Sequence, residues 1–347
     1  MIVVLAPTED LHARRVAQEI ELLGETAQII SWRSIARGLR ASLSYNGRLA
    51  EVSIQSEQDG PTIELADIRA IWIRRPSPPA IPPAVIDPEH RRFARQEWQG
   101  VLDGLTMSLG LDAVMVNPLQ AQRAAIKPYQ LALAQRVGLR VPETLITSDP
   151  LRAQRFVDTH QGLVVHKAMT APRNAFVDTR RWQETDRAAL HQLLVAPAIF
   201  QALIEGPIDV RATIVGQEIY AAAIRTEQSR AGLDSRLDLD VPTTPYEIQG
   251  DVARQLHALM TALGLTFATI DLKIDEAGQL HFLELNPQGQ FLYIEILTGL
   301  PIAASLARLL VNAQRGEVQG AWHGAQAAID GSRKELATGS NQKAPRL

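Results

Sequence analysis

The sequence predicts an α/β chain with an open parallel-sheet domain at its N-terminus and lobes rich in antiparallel strands behind it. Three observations carry this reading. Residues 2–30 run apolar strand, amphipathic helix, apolar strand, which is the pattern of a right-handed βαβ unit. Residues 76–88 hold six prolines in thirteen positions, which excludes a helix or an inner strand and marks an extended surface loop. From about 208 onward, apolar alternation and turn residues dominate, as in an antiparallel sheet.

The elements follow in order. Ile2–Leu5 is a short buried strand. Ala13, Val16, Ala17, Ile20 and Leu23 recur at helical spacing, with Gly24 as the stop, and Ala27–Ile30 is the second strand. Weaker strands at Ser42–Tyr45 and Glu51–Ile54 flank Asn46-Gly47, a hairpin turn pair, and Ala70–Ile73 is a further strand. A long amphipathic helix spans His90–Leu109, and a strand at Met115–Asn117 stops at Pro118. A single helix is expected over Ala121–Val137, then a strand at Val141–Ile146, a helix at Arg152–Thr159, and strands at Leu163–Lys167 and Ile199–Ile204. Strands at Asp209–Val215, Gln217–Ile224, Thr266–Ile274 and Gln279–Leu285, with helices at Gln249–Leu263 and Ile302–Val311, complete the pattern. The units expected are 1–118, 119–200 and 201–315, with 316–347 reading as a disordered or appended tail in which apolar periodicity fades.

Composition narrows the function. With 35 basic and 38 acidic residues the net charge is −3, which argues against a general nucleic-acid or membrane-surface binder. The absence of cysteine excludes disulfides, thiolate metal sites and cysteine nucleophiles. No apolar stretch approaches the ~18 residues of a membrane span, so a cytoplasmic protein is expected. Of the 35 basic residues only five are lysine, at 127, 167, 273, 334 and 343, which draws attention to each lysine as a point charge an arginine cannot replace.

The sharpest chemical signal is a hairpin. Thr269–Ile274 and Gln279–Asn286 flank the turn sequence Asp275-Glu276-Ala277-Gly278. With Ile274 opposite Gln279, Asp271 faces Phe282, Glu284 is its diagonal neighbour, and Asn286 lies further along the same face. Ile270, Leu272, Ile274, Leu283 and Leu285 form the opposite, core-facing stripe. Two carboxylates and an amide oxygen make an all-oxygen set suited to Mg²⁺. An exposed polar sheet face would show the same alternation, and a one-residue slip would invert the faces. The eight histidines form no helical i, i+4 pair, so a zinc site of that kind is not expected. His166 reads as a core histidine, and neither a nucleophile-elbow serine nor a Walker A loop is present.

Asp271 followed thirteen residues later by Glu284-x-Asn286-Pro287 resembles the magnesium signature of the ATP-grasp ligases. Phe200-Gln201-Ala202-Leu203-Ile204-Glu205 and Asp209-Val210-Arg211 resemble that superfamily's adenine hinge and acidic-x-Arg motif. Trp72-Ile73-Arg74-Arg75-Pro76, the run Phe282–Phe291, Ile294-Glu295 and Thr298-Gly299-Leu300-Pro301-Ile302 resemble motifs of the microviridin-type ligases, or graspetide synthetases. The likeness covers about residues 1–315 and implies an ATP-grasp fold with ATP between its last two lobes.

The resemblance implies a role for each matching residue. Lys127 and Lys167 would hold phosphates, and the backbone of Gln201, Ala202, Leu203 and Ile204 would read adenine. Asp209 would accept from the ribose hydroxyls. Arg211 and Arg236 would stand near the reacting carboxylate, while Asp271, Glu284 and Asn286 would hold Mg²⁺. The family commonly has Glu where Ala202 stands. The segment after Lys167, Ala168–Asn174, has no glycine, unlike the phosphate-covering loop of some ATP-grasp enzymes. Arg74 and Arg75 could anchor an acidic peptide or be a solvated strand end. The stretch Gln217–Tyr246, with Arg225, Arg230, Arg236 and Asp residues at 234, 238 and 240, is the expected grip on a peptide, or else a charged solvated hairpin.

The activity implied is ATP-dependent ligation within a ribosomal precursor peptide of leader plus core. Asp or Glu side chains would be activated as acyl phosphates and joined to Thr, Ser or Lys side chains. The expected cofactors are ATP and Mg²⁺, the expected partner is the precursor peptide with neither nucleic acid nor membrane, and a homodimer is admissible. The alternatives are a ligase acting on a small-molecule acid and a nucleotide-binding regulatory protein with a dead site.

Overall fold

The computed structural model describes residues 1–45, 50–55, 62–64, 67–75, 77–110, 113–169, 179–226 and 241–316. The expected Asn46-Gly47 turn, Pro76, Arg230, Arg236, the three aspartates at 234, 238 and 240, and the tail beyond Gly316 lie outside them. The N-terminal sheet contains β1 (Ile2–Leu5), β2 (Ala27–Ile30), β6 (Ala70–Ile73) and β7 (Val114–Val116) in the order 2-1-6-7, with every pairing parallel. Each of β1 and β6 is a four-residue apolar run buried throughout, as strands covered on both faces must be. Helix α1 (Leu11–Leu22) starts where the Asp10 side chain accepts from the Ala13 N–H at 2.9 Å. It covers one face of this sheet, and α2 (Pro88–Leu109), capped by Asp87, covers the other. A small antiparallel sheet of β3 (Arg40–Tyr45), β4 (Ala50–Gln55) and β5 (Thr62–Glu64) stands beside them.

Where one helix was expected over 121–137, the chain forms α3 (Leu119–Ala124) and α4 (Lys127–Arg136). The reason is Pro128. Proline has no N–H and clashes with the preceding turn, so it is tolerated only in a helix's first turn, and a new helix must begin there. Lys127 thereby becomes the first residue of α4. A second sheet contains β8 (Thr144–Thr147), β9 (Val164–Ala168), β10 (Arg180–Arg181) and β11 (Ala198–Ala202) in the order 10-9-11-8, antiparallel throughout. It is backed by α5 (Pro150–Thr159) and a 3₁₀ segment at Glu184–Leu194. The boundary expected at 200/201 falls inside β11.

The third sheet is the largest. It contains β12 (Ile208–Val215), β13 (Glu218–Arg225), β14 (Thr243–Tyr246), β15 (Phe267–Ile274) and β16 (Leu280–Asn286) in the order 14-13-12-15-16. One face is apolar and packs on α4 and α6 (Gly250–Leu263), with Val210, Ala212, Ile270, Leu272, Phe282 and Leu285 in that core. The other face is divided. Its Phe267 end joins the core of the N-terminal sheet through Trp72, Phe291 and helices α7 (Leu292–Thr298) and α8 (Ile302–Arg315). Its opposite end is charged.

Candidate active site

The charged end of the third sheet is built by cross-strand register. β12 and β15 pair so that Asp209 faces Lys273 and Arg211 faces Asp271. On the other side of β15 the expected register is corrected by a β-bulge between Asp271 and Leu272. Lys273 pairs with His281 and Leu272 with Phe282, but Asp271 pairs with Glu284 and Thr269 with Asn286. The cause is visible in the core. Phe282 and Leu285, three residues apart, are both buried, and strict alternation cannot put both on one face. The extra residue is Leu283, which leaves the core stripe where it was expected and is replaced there by Phe282. As a result Asp271 and Glu284 are direct cross-strand neighbours rather than diagonal ones.

Every charged member of this row has an opposite partner. Arg211, only 4% exposed, forms an ion pair with Asp271 and donates to the Gln290 carbonyl at 3.1 Å. Lys127 Nζ stands 3.2 Å from Glu284 Oε2. Asp209 Oδ1 is 2.8 Å from Lys273 Nζ. Lys167 enters from β9 of the second sheet. Burial pushes its ammonium below the usual lysine range; Glu284 and Asp271 oppose the shift, and Lys127 adds to it. The two lysines expected to hold phosphate therefore come from different parts of the fold and meet at Glu284, which ion-pairs with Lys127 and, with Asp271, opposes the shift of Lys167. Asn286 lies at the end of the row, where its Oδ1 accepts from the Gln288 N–H at 2.9 Å.

Three sets of side chains hold this arrangement, and of their members sequence reasoning had singled out only Arg74, in another role. Gln130, one helical turn beyond Lys127, is 3% exposed. Its amide bonds both backbone groups of Leu285, at 2.8 Å to the carbonyl and 3.0 Å from the N–H, which pins α4 to the edge strand beside Glu284. Asn117 bridges Phe267 and Pro287 by donating to both carbonyls. The loop 287–291 lies at the carboxyl ends of β1 and β6. There Arg74 donates to the Gln288 and Gly289 carbonyls, and His12 Nε2 accepts from the Phe291 N–H at 3.1 Å. The sequence signal for Gln130, Asn117 and His12 was slight: isolated polar residues at a strand end and on helices. Gly289 is required here, since a Cβ would run into the side chain of Thr269.

Arg74 is thus neither a solvated strand end nor a surface anchor. It is 1% exposed, lies 3.6 Å from Asp10, and burial lowers its guanidinium to about 10. Trp72 of the same motif is buried against Phe267. Arg75 is exposed, as is Arg225 at the end of β13. At the expected hinge, Ala202 N–H donates to the Glu143 carbonyl and Leu203 N–H to that of Leu163, both within the fold. Ile204 is therefore the first hinge residue past these pairings. Gln201 is buried, and its amide donates to Thr144 Oγ1 at 2.9 Å. His166, read as a core histidine, stacks on Phe200 with Asp186 at 3.4 Å, and burial lowers its pKa.

Among the described residues no cluster of three His, Cys, Asp or Glu side chains suits a metal ion. The hard-oxygen set is instead two carboxylates and an amide, which suits Mg²⁺, a cation that takes few protein carboxylates and leaves positions to phosphate oxygens. Among the same residues no helix is long and apolar enough to cross a membrane.

Comparison with known proteins identifies the fold. No protein-family model matches the chain, and no curated protein matches it. Solved structures do. The macrocyclase MdnC from Microcystis aeruginosa, bound with precursor peptide MdnA, is 26% identical with a TM-score of 0.79, over 90% of this chain and 99% of that one. The RiPP-associated ATP-grasp ligase of Chryseobacterium gregarium, in complex with ADP and a leader and core peptide, is 25% identical with a TM-score of 0.80, over 90% and 96%. The ATP-grasp ligase PsnB, complexed with minimal precursor, Mg and ADP, is 25% identical with a TM-score of 0.74, over 90% and 97%. The chain has the ATP-grasp fold.

Proposed function

From a fold shared with RiPP-associated ATP-grasp ligases, we propose that this chain is an ATP-dependent peptide ligase. It activates Asp or Glu side-chain carboxylates of a ribosomal precursor peptide and joins them to Thr or Ser hydroxyls as esters, or to Lys amines as amides. The observation that carries the reading is the convergence of Lys127, Lys167 and Arg211 on two adjacent carboxylates between two sheets. Residues 1–118 form the N-terminal unit in this reading, 119–200 and 201–315 the lobes that enclose the nucleotide. We take the enzyme to be cytoplasmic, where ATP is made and used.

The chemistry follows from exchange of partners. The carboxylates Asp271 and Glu284, with Asn286, would hold Mg²⁺, which when bound would offset the phosphate charge. Lys127 and Arg211, now paired with those carboxylates, turn to the triphosphate. Lys127 sits in the first turn of α4, where the helix dipole also favours an anion. Lys167 supplies a second point charge, and the backbone around Ile204 receives the adenine edge. Arg236 is assigned to the reacting carboxylate on motif resemblance alone.

A substrate carboxylate oxygen attacks the γ-phosphorus, the bond to ADP breaks, and an acyl phosphate forms. The planar fork of Arg211 matches its bidentate oxygens. The attacking hydroxyl or amine then adds to the acyl carbon and loses its proton as inorganic phosphate leaves. Peptide recognition is assigned to the exposed Arg75 and Arg225 with Arg230. The test is Glu284→Gln, which removes one metal-ligand charge from a solvent-lined cleft and leaves the fold intact. ADP release in the presence of a peptide encoded beside the gene is expected to fall at least 100-fold. Turnover within about threefold of the unaltered chain would overturn the assignment.

A further inference from the structure

Gln290 is the exposed middle of a loop pinned on both sides. Gly289 before it and Phe291 after it are buried. Upstream, Arg74 Nη1 donates to the Gln288 and Gly289 carbonyls. Downstream, His12 Nε2 accepts from the Phe291 N–H at 3.1 Å and from the Leu292 N–H at 3.4 Å. The His12 ring also meets Phe291 edge-on, with centroids 4.8 Å apart. Both anchors come from the N-terminal unit, His12 from the first turn of α1 and Arg74 from the residue after β6.

Between the anchors the loop presents the Gln290 carbonyl, which accepts from Arg211 Nη2 at 3.1 Å. That carbonyl and the Phe291 N–H held by His12 belong to the same peptide group. A peptide group is planar and rigid, so a grip on its N–H fixes the direction of its carbonyl. A hydrogen bond at one end of the group also polarises the other and strengthens it as an acceptor. His12 is suited to the task. Burial first, and the Arg74 guanidinium next, lower its pKa to about 3, so the imidazole is neutral and Nε2 keeps its lone pair.

We propose that His12 is a positioning residue for the ligation: through the Gln290–Phe291 peptide it fixes the direction in which Arg211 presents its guanidinium to the reacting carboxylate. The inference rests on the ligase reading above. In that reading Arg211 gives up Asp271 for the phosphoryl group, while the Gln290 carbonyl continues to hold it. A peptide released from His12 can rotate about its flanking bonds and let the guanidinium swing. Misplacement of a reacting group by about 1 Å costs up to about 100-fold in rate. ATP is gripped elsewhere as well, at Lys127, Lys167 and the hinge, so the loss falls on turnover and not on nucleotide affinity.

The experiment compares His12→Phe, which keeps a ring against Phe291 and removes the acceptor, with His12→Gln, which supplies an acceptor again. The first readout needs no activity. It is the Arg211 Nε–H signal in the magnetic resonance spectrum of the isotope-labelled full chain, identified by its loss in Arg211→Lys. The signal is expected to shift or broaden in His12→Phe and to return to its place in His12→Gln. The second readout is ADP release with ATP and a peptide encoded beside the gene. His12→Phe is expected to lower kcat about tenfold or more, with the Kd for ATP within about threefold and the number of ATP sites unchanged. His12→Gln is expected to stay within about threefold of the unaltered kcat. An unmoved Arg211 signal, an unchanged kcat, or a loss of ATP affinity as large as the loss of kcat in His12→Phe overturns the role. Should His12→Phe not fold, His12→Leu takes its place under the same criteria. An unaltered chain that releases no ADP with any such peptide refutes the ligase reading and not the coupling of His12 to Arg211, which the signal tests by itself.

Discussion

Gln130 offers the sharpest quantitative test of how the site is held. Its side chain is buried, donates to the Ala125 carbonyl at 2.6 Å and to the Leu285 carbonyl at 2.8 Å, and accepts from the Leu285 N–H at 3.0 Å. Leu285 is itself buried on the edge strand β16, so its outward backbone groups have the Gln130 amide in place of a neighbouring strand. Replacing Gln130 by Leu conserves volume but strands a buried donor and acceptor, at about 1–3 kcal/mol each. The added apolar contact returns part of that, which leaves a net loss of about 2–4 kcal/mol. Hydrogen exchange at the Leu285 amide reads this locally: 2 kcal/mol corresponds to about a 30-fold loss of protection, at about 1.4 kcal/mol per tenfold. Because Gln130 and Lys127 are at i, i+3 on one helix face, the same change should loosen Lys127 from Glu284 and weaken ATP binding about three- to tenfold. Unchanged protection at Leu285 together with an unchanged unfolding midpoint would refute the reasoning.

Further outcomes follow from the charges. Lys127→Ala and Lys167→Ala should each weaken ATP binding about tenfold or more by titration calorimetry. Arginine at either position should restore little, since a planar fork does not fill a point-charge position, and native affinity in both alanine variants would show them to be bystanders. His12 is held down at about 3 by burial first and the Arg74 guanidinium next, with Arg75 adding and Asp10 opposing. The folded chain therefore keeps a neutral His12 that accepts from Phe291, while the unfolded chain protonates near 6.5. Its contribution is complete above about pH 6.5 and is lost as pH falls from there toward 3, with a slope of at most about 1.4 kcal/mol per pH unit. Denaturant titrations between pH 7 and 5 should show a shallower decline in His12→Gln than in the unaltered chain; parallel curves would exclude the effect.

How much was legible in the sequence follows from how local the cause is. Ile2–Leu5 and Ala70–Ile73 were readable to the residue because each is a continuous apolar run of strand length, and Ala27–Ile30 because it follows the helix stop at Gly24 in a βαβ pattern. The antiparallel hairpin that carries Asp271, Glu284 and Asn286 was equally plain, from its turn residues and alternation. The break before Lys127 was also in the sequence, at Pro128, but helical periodicity on both sides masked it.

The chain's own residues thus determined the order of elements, the face on which the acidic row lies and the scarcity of lysine that drew attention to Lys127 and Lys167. Only tertiary structure decided the bulge that sets Asp271 against Glu284, because it arises from Phe282 and Leu285 competing for one core. It also decided that Arg74 is an internal tie and not a surface group, since the carbonyls it holds come from a loop more than two hundred residues away in sequence. The pairings Arg211–Asp271, Lys127–Glu284 and Lys273–Asp209 have the same origin. Charge partners are chosen by distance in space, and sequence pattern carries information only over the few residues that one helix turn or one strand face spans.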